Sequence, residues 1–130
     1  MRRYGLSKLA NVLFASELQR RFDADGVSII SISLDPGPVG TEGALSIFPG
    51  FLGPLLKRFV MANPSHGAWP SLFAAAGKEV RKEEGKYKGK YLSSAMKVEQ
   101  PSSQARDVKL ARDLWTVSEK AVEEMLGKTL

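Results

Sequence analysis

The sequence predicts an α/β chain, the C-terminal portion of a doubly wound parallel sheet, mostly helical and with two strands. Three observations carry this. Residues 27–34 read VSIISISL, apolar and β-branched almost without a break, which suits an inner parallel strand covered on both faces. Helical patterns precede that run and alternate with a second, shorter strand pattern after it. Two strands are too few for an independent sheet, so the order is that of a chain beginning inside a larger one. At 130 residues the chain supports one core, and 1–130 reads as a single incomplete domain.

The first element is a helix over 4–22. Leu6, Leu9, Leu13, Phe14, Leu18 and Phe22 make a broad apolar face, with Glu17, Arg20 and Arg21 on or beside its polar side. Asp23, Asp25 and Gly26 form a stop, Gly26 suiting the left-handed position past a helix end. The strand over 27–34 ends at Asp35-Pro36-Gly37-Pro38, where proline removes ladder donors and glycine permits a tight turn.

Residues 42–62 are apolar and aperiodic, broken by Gly43, Pro49, Gly50, Gly53 and Pro54; a connection of that length is expected to be a substrate lid. Asn63 and Pro64 then cap a helix over 64–76, which Pro70 should kink or delay and Gly77 should close. The Lys and Glu run after it reads as solvated connection. A short strand follows over 90–94, and 95–104 is turn-like. The last element is an amphipathic helix over 107–126. Its stripe is Leu110, Leu114, Val117, Ala121 and Met125, widened by Trp115, Val122 and Leu126.

Composition narrows the function classes. With 43% hydrophobic and 25% charged residues, collagen-like, coiled-coil and disordered chains are excluded. The absence of cysteine excludes disulfides and thiolate metal sites and fits a reducing compartment. His66 is the sole histidine, too solitary for zinc, so no metal site is expected. The net charge of +5 centres on 78–90, where six basic residues are mixed with three acidic ones. That is a solvated surface rather than a nucleic-acid stripe. Tyr4, Ser7, Lys8 and Asn11 interrupt any secretory h-region, so the expected location is cytoplasmic. Residues 43–56 are too short to span hydrocarbon and support at most a surface contact with a membrane.

Tyr4 and Lys8 stand four apart on the first helix and share a face. In the plain structural reading Tyr4 covers the first turn and Lys8 snorkels to water. In the chemical reading an ammonium beside a phenol favours the phenolate and prepares it for acid and base work. Asp35 is placed to support the amides of the turn that follows the strand, without a catalytic role.

Read together, Tyr4-Gly5-Leu6-Ser7-Lys8-Leu9-Ala10-Asn11 and the later Asp35-Pro36-Gly37-Pro38-Val39-Gly40-Thr41 resemble the C-terminal half of the short-chain dehydrogenase/reductase family. The nearest likeness is to its retinol-dehydrogenase-like and WW-domain-containing-oxidoreductase-like members. In that family Y-x-x-x-K opens a helix and P-G-x-V-x-T follows the next strand. Gly67-Ala68, Ala74-Ala75-Ala76, Gly89-Lys90-Tyr91 and Leu114-Trp115 extend the likeness over essentially the whole chain.

The resemblance implies a Rossmann-type fold and hydride transfer between NAD or NADP and a small apolar alcohol, aldehyde or ketone. Tyr4 would be the acid/base tyrosine. Lys8 would hold the nicotinamide ribose and assist Tyr4. Pro36, Gly37 and Val39 would form the backbone turn beside the nicotinamide, with Thr41 on the carboxamide or pyrophosphate side. The helix over 4–22 would serve a homo-oligomer contact.

The chain departs from the family pattern in holding no G-x-x-x-G-x-G phosphate turn. It also lacks the cofactor-selecting residue, the substrate-polarising serine and the asparagine of the proton relay. Ser7, one turn from Tyr4, reads as a small packing residue. The isolated chain is therefore expected to bind nicotinamide cofactors weakly or not at all and to be inactive. The alternative is a truncated, non-catalytic product acting through protein–protein association.

Overall fold

The computed structural model describes residues 2–38 and 64–127. Helix α1 spans Arg2–Ala24, two residues beyond the expected 4–22 at each end. Gly26 takes the left-handed conformation at φ +67°, and the Val27 N–H returns to the Phe22 carbonyl at 2.8 Å, closing the helix.

Among the described residues the sheet has three strands rather than two: β1 (Ser33–Leu34), β2 (Tyr91–Leu92) and β3 (Val98–Glu99), in that spatial order. β1 and β2 are parallel, with Ser33 beside Tyr91 and Leu34 beside Leu92. β3 returns antiparallel to β2, so the sheet is mixed. The third strand lies in the segment expected to be turn. A tight connection makes it, in which the Met96 N–H reaches the Ser93 carbonyl at 2.9 Å and the Ser93 N–H reaches the Lys97 carbonyl at 2.9 Å. The strand expected over 27–34 is regular only at its end, because β2 is two residues long. Its last upstream rung is the Gly89 N–H on the Ser31 carbonyl at 2.9 Å.

One face of the sheet carries the core. Val80, Tyr87 and Leu92 are buried there among Ile30, Ile32, Leu34, Phe73, Ala74 and Val98, and the rings of Phe73 and Tyr87 meet edge-on at 5.9 Å. The helix α2 (Pro64–Gly67) leads into α3 (Trp69–Ala76), which with α4 (Lys78–Lys82) and α5 (Glu84–Tyr87) supplies the helical residues packed on this face. The single helix expected over 64–76 is thus broken at Ala68. Pro70 falls in the first turn of α3, where its missing N–H costs no helical bond, and its side chain is fully buried. The charged run expected as solvated connection is helical. It sends Val80 and Tyr87 inward and pairs its charges outside, Arg81 with Glu84 and Lys86 with Glu83, both at 2.9 Å.

The opposite face is covered by α1. A short 3-10 turn (Gln104–Arg106) and the last helix, α6 (Val108–Leu126), pack against α1 in turn. Asp107 caps α6 by accepting the Leu110 N–H at 3.0 Å. Phe14 stacks on Trp115 at 5.2 Å, and the Arg21 guanidinium lies 4.3 Å over the same indole. The Trp115 N–H donates to Glu119. Only part of the expected α6 stripe is covered: Leu114 and Trp115 are half-buried, whereas Val117 and Met125 are exposed, and the helix's fully buried residue, Ala111, lies outside that stripe. The cause is the contact with α1, which uses the Ala111 and Trp115 side of the helix.

Clamping α1 from both sides also overturns the expected place of Glu17. It is buried rather than on the polar side, its carboxylate accepting from Arg20 at 2.6 and 2.8 Å and from Arg21 at 3.0 Å. Helices on both faces of a small sheet make a partial Rossmann-type α/β fold. Among the described residues no helix is long and apolar enough to cross a membrane.

Candidate active site

Four of the six residues singled out in the sequence line one cavity of about 880 Å³: Tyr4, Lys8, Pro36 and Gly37. Val39 and Thr41 lie outside the described residues, as do the expected lid over 42–62 and the apolar stretch over 43–56. The cavity opens at the carboxyl end of β1, where α/β sheets characteristically receive ligands.

Helix α1 supplies one wall. The four-residue spacing brings the Lys8 ammonium to 5.3 Å from the centre of the Tyr4 ring, and Tyr4 is 69% exposed. The Ser7 hydroxyl is spent on its own helix, donating to the Tyr4 carbonyl at 2.8 Å.

The sheet supplies the other wall. Side chains alternate along a strand and residues in register share a face, so Ser33, Asp35 and Tyr91 belong to one side, the side α1 covers. Past β1 the chain bends at once. The Asp35 N–H is held by the Leu92 carbonyl at 2.9 Å, and its carboxylate accepts the Gly37 N–H at 2.8 Å. Gly37 has φ +76°, which favours glycine, and a Cβ there would stand 3.0 Å from the Ser94 side chain, which would have to give way. Asp35 thus supports the turn's amide.

Sequence reasoning gave no role in the site to Tyr91 or to the segment holding Gln100 and Ser102, all of which line the cavity. The signal for Tyr91 is its register beside Ser33, which a strand pattern alone does not reveal. Burial pushes the Tyr91 phenol above its ordinary value, with smaller contributions in the same direction from Asp35 and Glu99. The ammonium of Lys8 offers three donors and the bend offers peptide groups, which suits a ligand bearing hydroxyls or an amide. No metal-holding cluster of three or more acidic or histidine side chains occurs among the described residues.

The chain is 52% identical over 121 residues to a short chain dehydrogenase/reductase of Macrophomina phaseolina, a match covering 93% of this chain and 59% of that protein. It is 48% identical over 120 residues to a short chain dehydrogenase/reductase of Gibberella zeae, covering 92% of this chain and 34% of the relative. It is 42% identical over 116 residues to the polyprenol dehydrogenase of Mus musculus, covering 86% and 32%. Homology to short-chain dehydrogenase/reductases therefore extends over most of the chain, which itself spans only part of each relative's length. No family model matches the chain. No solved structure matches it.

Proposed function

We propose that this chain is the C-terminal portion of an NAD- or NADP-dependent short-chain dehydrogenase/reductase acting on a small apolar alcohol, aldehyde or ketone. The observation that supports this most is the common cavity of Tyr4, Lys8, Pro36 and Gly37 at the end of β1. These residues suit the nicotinamide and ribose half of a dinucleotide. For the pyrophosphate the chain holds no glycine-rich turn.

The bound cofactor supplies the hydride chemistry. Tyr4, exposed to the cleft, exchanges a proton with the substrate oxygen. Lys8 holds the ribose hydroxyls and offsets negative charge developing beside it. Pro36 and Gly37 would form the backbone wall along the nicotinamide. By itself the 130-residue chain turns over negligibly, since positioning and preorganised polar contacts supply much of an enzyme's rate. A second reading, association without catalysis, draws on apolar side chains left open on α1 and before β1, Leu6 at 63% and Ile29 at 49% exposure.

A chimera tests the catalytic reading. The segment of the Macrophomina phaseolina relative that matches this chain is replaced by this chain's residues, and nicotinamide absorbance is followed with apolar alcohols and ketones. The expected result is turnover that falls roughly 100- to 10,000-fold with Tyr4→Phe. Full turnover with phenylalanine at position 4 overturns the reading.

A further inference from the structure

We infer that Asp35 is the positioning residue of the site: its carboxylate, backed by Tyr91, holds the bend at Pro36 and Gly37 in place opposite Tyr4 and Lys8. That the bend faces a nicotinamide rests on the function proposed above; the holding itself does not.

The need for such a residue begins in the sequence. Pro36 and Pro38 have no N–H, so Gly37 carries the sole backbone donor between Asp35 and residue 39. That donor is given to the Asp35 carboxylate at 2.8 Å, an Asx-type turn that fixes the apex of the bend. The backbone of Asp35 is itself anchored, its N–H reaching the Leu92 carbonyl at 2.9 Å. Gly37 backs tightly onto Ser94, whose side chain would have to give way to a Cβ placed there. The β2–β3 turn thus blocks the bend from behind while Asp35 ties it from within.

Tyr91 completes the arrangement. It pairs in register with Ser33, so it lies on the same face as Asp35 and lines the same cavity. Burial, first, and then the charges of Asp35 and Glu99 oppose the ionisation of its phenol. The carboxylate is thus oriented by the Gly37 N–H it accepts, with the Tyr91 phenol on the same face of the sheet.

The test uses the ¹⁵N-labelled full chain and two readouts, exchange of the Gly37 amide proton and the ionisation of Tyr91. Asp35→Asn keeps an acceptor oxygen and removes the charge; Asp35→Ala removes both. Gly37 exchange is expected to quicken roughly tenfold in Asp35→Ala and to be restored in Asp35→Asn. The Tyr91 midpoint is expected to fall in both variants. In the chimera, Asp35→Ala should raise the cofactor KM roughly tenfold, with Asp35→Asn restoring it. Unchanged Gly37 exchange in Asp35→Ala, an unmoved Tyr91 midpoint in Asp35→Asn, or an unchanged cofactor KM each overturns the inference. If Asp35→Ala does not fold, the Tyr91 midpoint in Asp35→Asn decides. A chimera inactive in every variant, with the exchange and ionisation results as expected, counts against the catalytic reading and leaves the positioning of the bend standing.

Discussion

The side chain of Gln19 accepts the backbone N–H of Ser31 at 2.7 Å, doing for β1 what a longer β2 would have done. Its amide nitrogen donates to the Ile29 carbonyl at 3.2 Å and to Asp23 at 2.9 Å. One buried side chain thus completes the ladder where the neighbouring strand ends. Gly89, at φ +66°, makes the approach possible, since a Cβ there would stand 3.3 Å from Gln19.

Replacing Gln19 by leucine should destabilise the chain by about 1–3 kcal/mol. The substitution keeps the bulk but leaves the Ser31 N–H and the Ile29 carbonyl without their partner. Urea unfolding followed by circular dichroism measures it, and an unchanged midpoint would contradict the role assigned to Gln19.

Glu17 gives stability a pH dependence. The hydrogen bond from Arg20 holds its carboxyl below the ordinary value, opposed by burial and aided by Arg21. A carboxyl depressed in the folded state contributes fully above its unfolded value, about 4.3, and loses that contribution as pH falls through the lower folded value. Unfolding midpoints measured from pH 7 down to about pH 2 should therefore fall more steeply for the parent than for Glu17→Gln. Parallel curves would show that Glu17 has no such role.

Leu92 is fully buried at the centre of the core, between the sheet and Tyr87. Leu92→Ala should cost about 2–5 kcal/mol, from lost burial and the cavity left behind. Tyr4→Phe, at a site 69% exposed, should move stability by less than about 0.5 kcal/mol. Thermal or urea unfolding of both variants separates the two: a large loss with Tyr4→Phe would make the phenol a structural rather than a chemical group.

Calorimetric titration of the 130-residue chain with NADH and NADPH should show no micromolar binding. The wall lined by Tyr4, Lys8 and Gly37 addresses only one half of the dinucleotide, and the chain holds no phosphate turn for the other. A micromolar isotherm would show that the chain holds a phosphate cradle of another kind.

Much of the candidate site was legible because its signals are local. The spacing of Tyr4 and Lys8 puts them on one helix face, and Asp35-Pro36-Gly37-Pro38 ends a strand by proline and glycine chemistry alone. The hairpin of β3 was missed because two residues of strand give no periodicity to read. The helical character of 78–87 was hidden by charge, which outweighed the single apolar residue each short helix turns inward.

What the amino-acid order determined unaided was the helix bearing Tyr4 and Lys8, the turn after the strand, and the likeness to short-chain dehydrogenase/reductases, all set by contacts within a few residues. Only the tertiary structure decided that Glu17 and Gln19 are buried, that Tyr91 joins Asp35 beneath α1, and that most of the α6 stripe stays open. Burial and register depend on which distant segment arrives opposite, and no local pattern encodes that partner.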